Sequence, residues 1–315
     1  MSELQNILRQ RAELYASIRS FFAERDILEV ETPVFSKSGN TDPFIQSLIA
    51  NFSSSSCSEE FYYAQTSPEF SMKRLLANGA GSIYQICKVF RVGEISARHN
   101  PEFTMLEWYR VGLDYHQLMD EMNGLLRVLD VFDESKKISY ADLFLQYLNV
   151  NIKTAPVAQL KDCANDHGIR VVGLGDEIDD WLNLLLSHII EPKLGFDSPT
   201  FIFDYPASQA ALAEVREDAY PVAERFELYI NGVEVANGYQ ELTRGDLYLQ
   251  RFKLENERRM LAGKPEIIIH GNLIEDLNKG LPYCSGVAMG LDRLLMCLHN
   301  MDDIDKVLTY SADNA

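Results

Sequence analysis

The Asn231-Gly232 pair constrains this 315-residue chain more than any other feature. Both residues tolerate positive φ. Set between runs of alternating bulky and charged residues at 224–230 and 233–237, they predict a two-residue type I′ turn closing a β-hairpin. That turn fixes a register in which Ile230 opposes Val233 and Tyr229 opposes Glu234. Glu227 shares the parity of Tyr229, so Glu227 and Glu234 project from one face as diagonal neighbours. Two carboxylates on one face repel unless a cation or basic group lies between them, and Mg²⁺ with phosphate oxygens suits such a pair. A solvated outer face is the alternative for the hairpin alone. Just beyond it, Asn237-Gly238-Tyr239-Gln240-Glu241 gathers further polar groups at a strand end.

The rest of the chain supplies elements to pack around that hairpin. Residues 4–25 read as an amphipathic helix with Leu4, Ile7, Leu8, Leu14, Tyr15, Ile18, Phe21 and Phe22 near helical spacing, followed by a short strand at 27–32 that stops at Pro33. Ser53-Ser54-Ser55-Ser56 reads as a loop. Ser67-Pro68-Glu69 opens a helix with a cap, a proline at the first helical position and an acid near the positive dipole end. Strands follow at 83–91 and 102–111, joined by a polar loop around 96–100. A mostly helical segment at 115–192 carries a core stripe of Leu118, Met119, Met122, Leu125, Leu126 and Leu129. Strand 200–205, helix 246–261 and a strand–glycine–helix passage at 283–298 complete the pattern. The order predicts an α+β fold, an antiparallel sheet flanked by helices, in a single domain over 1–315.

Composition narrows the function. With 29 Lys and Arg against 47 Asp and Glu, the formal charge is −18, and no basic run offers a grip on a phosphate backbone. Apolar runs of only a few residues leave nothing to cross a bilayer, and Met1-Ser2-Glu3-Leu4-Gln5 lacks a secretory pattern, so a soluble cytoplasmic protein is expected. Cys57, Cys87, Cys163, Cys284 and Cys297 are odd in number and never paired as CxxC, which reads as reduced thiols.

Two further constellations carry chemistry. In Phe90-Arg91-Val92-Gly93-Glu94 through Arg98-His99-Asn100-Pro101-Glu102-Phe103-Thr104-Met105-Leu106-Glu107-Trp108-Tyr109, strand alternation places Glu107 and Tyr109 together. A buried Glu beside a Tyr hydroxyl suits an ammonium group, whereas singly each residue reads as ordinary polar surface. In Ser285-Gly286-Val287-Ala288-Met289-Gly290-Leu291-Asp292-Arg293, small residues turn a strand into a helix and permit close approach of a ligand, though a tight junction explains them equally.

Taken together, Glu29-Val30-Glu31-Thr32-Pro33, the Phe90-Arg91 strand–loop–strand and Gly290-Leu291-Asp292-Arg293 resemble motifs one, two and three of class II aminoacyl-tRNA synthetases, in order. Thr66-Ser67-Pro68-Glu69, Arg98 through Thr104 and Asn237 through Leu242 look like the lysyl branch. The resemblance implies roles by position. Arg91 would bind the substrate carboxylate and α-phosphate, and Arg293 the γ-phosphate side of a bent ATP. Phe103 would stack on adenine with His99 nearby, and Glu227 and Glu234 would hold Mg²⁺. Glu69 would meet the amino group near the substrate carboxylate. Glu107, Tyr109 and Glu241 would clasp a distal ammonium, with Asn237 and Tyr239 lining that pocket. A homodimer through the first helix and strand is implied as well.

The lysyl-tRNA enzymes carry an N-terminal anticodon-reading barrel of ~100 residues, for which the first helix here leaves no room. With the acidic charge, that argues against tRNA as acceptor. Cys284 through Ala288, Pro206-Ala207-Ser208-Gln209-Ala210 and Leu106-Glu107-Trp108-Tyr109 look like the stand-alone paralogues that attach (R)-β-lysine to elongation factor P. The resemblance thus implies ATP-dependent formation of an aminoacyl-adenylate and its transfer to a lysine ε-amine of that protein. A truncated synthetase acting on tRNA, a small-molecule amide ligase and a non-catalytic regulatory paralogue are the alternatives. Two positions depart from pattern. Ala288 stands where the tRNA enzyme has glycine, and its methyl would crowd an α-amino group. Val92-Gly93-Glu94 displaces the usual motif two glutamate by one residue, so that Glu94 would reach the adenine side only through a shifted loop.

Overall fold

Ser2 starts the first helix by a reciprocal cap: its hydroxyl accepts from Gln5 N, and Gln5 Oε1 accepts from Ser2 N. The computed structural model describes residues 2–52, 60–132 and 134–315, so the expected Ser53–56 loop and Cys57 lie outside the described residues. The chain divides into two compact units, one formed by the residues up to Leu118 with Glu241–Ala315, the other by Met119–Gln240.

In the first unit, α1 (Glu3–Ala23) buries Leu14, Ile18, Phe21 and Phe22. Leu4 and Leu8, assigned to the same stripe by periodicity, are instead 42% and 46% exposed. Strand β1 is only Leu28–Glu29, shorter than the expected 27–32. Val30 N still donates to Tyr84 O, but Pro33 has no N–H to extend the ladder. Strands β2 (Phe35–Ser36), β3 (Ile49–Asn51) and β4 (Phe61–Ala64) form a small antiparallel sheet in the order β2-β4-β3. After α2 (Glu69–Ala77), β5 (Ile83–Phe90) and β6 (Glu102–Val111) pair antiparallel from Ile83↔Tyr109 to Phe90↔Glu102. Strand β1 joins β5 in parallel, and β12 (Cys284–Gly290) pairs antiparallel with β6. The chain also contributes α7 (Gly245–Leu261), α8 (Gly271–Leu277) and α9 (Leu291–Leu298) to this unit. The division falls within α3 (Tyr115–Val128), whose Met119, Met122, Leu125 and Leu126 are buried as expected.

The second unit holds β7 (Lys136–Ser139), α4 (Tyr140–Leu148), α5 (Val157–Asp166), α6 (Ile178–Leu185), β8 (Thr200–Pro206), β9 (Val215–Arg216), β10 (Val222–Ile230) and β11 (Val233–Gln240). Central β10 pairs antiparallel with β8, β9 and β11, while β7 joins β8 in parallel. Its core is aromatic and aliphatic, with Tyr140, Phe144, Trp181, Leu185, Ile202 and Tyr205 among the buried members. The α+β architecture and the antiparallel core of the sheet agree with the sequence. Cys87, Cys163, Cys284 and Cys297 are free thiols, and burial pushes Cys87, Cys284 and Cys297 up to about 12, which leaves them unreactive.

The hairpin turn forms as expected, with Asn231 at φ 51° and Gly232 at φ 71°. It is held from outside: Asn231 N donates to Gly195 O at 3.0 Å and Gly232 N to Leu194 O at 2.7 Å. Gly195 has φ +74°, and a Cβ there would lie 2.5 Å from Tyr229 O and 2.7 Å from Ile230 Cα. Gly195→Ala should therefore destabilise this unit by roughly 2 kcal/mol or more in urea titrations followed by Trp181 fluorescence. Gly175→Ala, where an added Cβ meets nothing within 4 Å, should shift stability by less than about 1 kcal/mol.

Candidate active site

Ser67 joins two structural tasks. Its Oγ accepts from Glu69 N at 3.0 Å, capping α2 from one residue further out than expected, because Pro68 rather than Ser67 precedes the helix. The same hydroxyl donates to Glu107 Oε2 at 2.6 Å, and Tyr109 OH donates to Glu107 Oε1 at 2.7 Å. Strand register sets Ala288 directly across from Glu107 and Gly286 across from Tyr109, with Gln85 on the other side of Glu107. Directly opposed residues share a face, so these side chains line one patch of the sheet. A Cβ on Gly286 would lie 2.4 Å from both Glu241 Oε1 and Tyr109 Cε1, so only glycine lets those two groups close over the strand. A cleft of ≈ 440 Å³ whose lining includes Asn40, Thr66, Ser67 and Glu69 opens beside them.

Glu241 reaches the cluster from the residue after β11, its N donating to Cys284 O at 3.0 Å. Its Oε2 pairs with Lys73 Nζ at 2.7 Å, and Lys73 also pairs with Glu69 Oε1 at 2.6 Å. Of the expected substrate residues, Glu69, Glu107, Tyr109, Glu241 and Ala288 are therefore gathered in the first unit. Lys73 joins them without having been singled out, since a helical lysine normally reads as solvated. The available signal was its i, i+4 spacing from Glu69 and its flanking by buried Met72 and Leu76.

Charge is crowded here. Burial, then the neighbouring Glu69 carboxylate, pushes Glu107 up to about 8 against the opposing help of Ser67, Tyr109 and Lys73. Burial opposes the Lys73 charge, but Glu241 and Glu69 hold it well above the usual lysine range. An ammonium placed beside Glu107 would stabilise the form that burial disfavours.

The second group lies between β5, β6 and α9. The Arg91 guanidinium lies 5.2 Å from the Phe103 ring centre, and its Nε donates to Thr66 O at 3.4 Å. Arg293 Nη2 donates to His99 Nε2 at 2.5 Å, so the ring proton sits on Nδ1, 2.7 Å from Ser96 Oγ. Burial and then Arg293 lower the His99 pKa, keeping the imidazole neutral. Gly93, at φ 85°, turns the displaced Val92-Gly93-Glu94 loop, and the Glu94 charge acts on His99. Arg293 is positioned by its neighbour: buried Asp292 accepts from Thr104 N at 2.6 Å and pairs with Arg11 at 2.6 Å. Two arginines, a neutral imidazole and an aromatic face form a surface suited to polyphosphate and a base.

The third group is on the β10–β11 hairpin. Tyr229 faces Glu234 as expected, but the register shifts after that pair, so Leu228 faces Ala236 and Glu227 faces Asn237. Val235 is the extra residue of a bulge. One face consequently carries Arg225, Glu227, Tyr229, Glu234, Asn237 and Tyr239. An unbulged hairpin would have turned Asn237 and Tyr239 away from Glu234. Glu227 accepts from Tyr205 OH and Tyr229 OH at 2.6 Å each and pairs with Arg225, which in turn donates to Asn237 Oδ1 at 3.2 Å. Asn237 Nδ2 donates to Tyr239 OH at 3.1 Å. Among the described residues no set of three His, Cys, Asp or Glu could hold a metal. Glu227 already takes three donors on its two oxygens; it and Glu234 share one face as hard oxygen donors, and an Mg²⁺ with only these two carboxylates would draw its remaining ligands from phosphate oxygens and water.

Glu107 is expected to titrate near 8 and Glu255 near 7, the latter raised mainly by burial. In ¹³C-glutamate NMR titrations, Glu107→Gln should remove only the later transition. A bound cation should pull that midpoint down, since it favours the ionised form. A midpoint in the ordinary carboxylate range would overturn the charge assignment.

Comparison with known proteins gives the family. The family model for class II tRNA synthetases (D, K and N) matches residues 1–314. A protein of Photobacterium profundum named elongation factor P–(R)-β-lysine ligase is 44% identical, covering 98% of this chain and 96% of the relative. Proteins of the same name from Yersinia enterocolitica and Yersinia pestis (strain Pestoides F) are 42% and 43% identical, covering 99% of this chain and 96% of each relative. With the sheet, the paired arginines and the family match in agreement, this chain belongs to the class II tRNA synthetase family.

Proposed function

We propose that this enzyme activates (R)-β-lysine with ATP as an aminoacyl-adenylate and transfers it to the ε-amine of a lysine on elongation factor P, in the cytoplasm. The observation that carries the reading is the cluster of Glu69, Glu107 and Glu241 around one resident ammonium, Lys73. Once a bound cation has ionised Glu107, three carboxylates less one ammonium leave two negative charges, which match an amino acid bearing two ammonium groups. The names of the relatives supply the β-amino acid and the protein acceptor.

In the first step a carboxylate oxygen of the substrate attacks the α-phosphorus. The bond from that phosphorus to the bridging oxygen breaks, and pyrophosphate leaves. Arg91 holds the carboxylate against the α-phosphate, and Arg293 holds the distal phosphates; both place positive charge where negative charge builds. Glu227 and Glu234 would hold Mg²⁺, which would supply positive charge against the phosphate oxygens. Phe103 supports the adenine, with His99 and Glu94 at its edge. In the second step the acceptor amine attacks the mixed anhydride, an amide forms and AMP leaves. That amine begins with a pKa of about 10.4 and gives up a proton during the attack.

Ala288, directly across from Glu107, sets the position of the substrate amine: its methyl disfavours an amine on the α-carbon and leaves room for one on the β-carbon. Asn237 and Tyr239, on one face of the hairpin, are assigned to the substrate by the same resemblance. Exposed Leu4 and Leu8 on α1, with Leu28 beyond it, support a homodimer through that face. No helix among the described residues is long and apolar enough to cross a membrane, in keeping with the proposed location.

ATP–pyrophosphate exchange with Mg²⁺ tests the reading. Exchange should be strong with (R)-β-lysine and weak with α-lysine, and transfer should go to elongation factor P rather than tRNA. Arg91→Ala or Arg293→Ala should lower kcat by about 10²-fold or more, and Ala288→Gly should gain α-lysine exchange. Exchange with α-lysine alone, or with no lysine, would overturn it.

A further inference from the structure

Lys73 has a fully buried side chain, and an ammonium in that position is tolerated only when carboxylates compensate it. The compensation is arranged in a particular way. The i, i+4 spacing on α2 brings Glu69 Oε1 to Lys73, while Glu241 Oε2 arrives from the other side. The Tyr248 ring, 5.1 Å from Nζ, covers a third approach. Because Oε2 of Glu241 is tethered, its Oε1 is turned to Gly286 and the Tyr109 ring, as the 2.4 Å approach of a Cβ at Gly286 shows. Lys73 thus holds one oxygen of each of two carboxylates assigned to different amines of the substrate. It also offsets one of the two charges of Glu69 and Glu241, and without it those carboxylates would repel one another.

We infer that Lys73 is a positioning residue of the amine site: by gripping one oxygen of Glu69 and one of Glu241, it orients both carboxylates and sets the pocket charge to match a ligand with two ammonium groups. This rests on the reading of the site as an amino acid–activating pocket. A lysine that served only the core would stabilise the fold and leave selectivity among bound ligands untouched.

The test compares exchange by wild type and Lys73→Met with a diammonium amino acid and with an analogue carrying a methyl in place of the distal ammonium. ATP KM serves as the internal control. Lys73→Met should raise the KM for the diammonium substrate by about 30-fold or more. The ATP KM should stay within about 3-fold, and the preference over the monoammonium analogue should shrink by at least about 10-fold. An unchanged preference, or equal changes in both KM values, would overturn the proposal and leave a structural lysine. Absence of lysine-dependent exchange in wild type would instead remove the pocket reading, and the proposal with it. Should Lys73→Met not fold, the wild-type protein answers by ¹⁵N NMR of its labelled lysines. The Lys73 Nζ signal should move on adding the diammonium ligand and stay in place with the monoammonium one. A signal indifferent to both would overturn the proposal.

Discussion

Three carboxylates gathered against one patch of a sheet, Glu107 and Glu241 buried and Glu69 half-buried, repel one another and resist leaving water, and the first unit is organised around answering that charge. Lys73 supplies one cation between Glu69 and Glu241. Ser67 and Tyr109 hydroxyls supply two hydrogen bonds to Glu107, which still favours its protonated form at neutral pH. What the fold leaves unanswered is room for positive charge. A site made this way selects by charge count before shape, since a neutral ligand would displace water and leave the carboxylates unmatched.

The same economy of contacts positions the phosphate-binding side. Arg293 follows a buried aspartate that ties the start of α9 to β6 and α1, and its guanidinium is directed by Arg98 O and His99. His99, held neutral by burial and by Arg293, accepts that arginine's hydrogen bond and avoids adding a competing cation. On the hairpin, Arg225 occupies one oxygen of Glu227 and two tyrosine hydroxyls share the other. These contacts fix the carboxylate before any ligand arrives, which in the proposed adenylation would lower the reorganisation needed.

Much of this was legible in the sequence because the signals were local. The Asn231-Gly232 turn fixed its own register, and strand alternation placed Glu107 beside Tyr109. Other features depend on tertiary contacts that periodicity does not carry. The bulge at Val235 reverses parity, and only that reversal places Asn237 and Tyr239 on the face of Glu227 and Glu234. Leu4 and Leu8 continue the stripe of α1 yet are exposed in the chain, since the sheet is met only by the second half of the helix. Lys73 was hidden because burial of a lysine depends on two carboxylates, one of them distant by 168 residues in the sequence. The role of Ser67 as both cap and donor to Glu107 likewise needed the fold.

Isothermal titration calorimetry of the whole chain at pH 7, in buffers of different ionisation enthalpy, tests the charge-matching claim most directly. A diammonium amino acid should bind at least about 100-fold more tightly than its monoammonium analogue and release close to one proton, the one that burial keeps on Glu107. Equal affinities with no proton released would contradict the account.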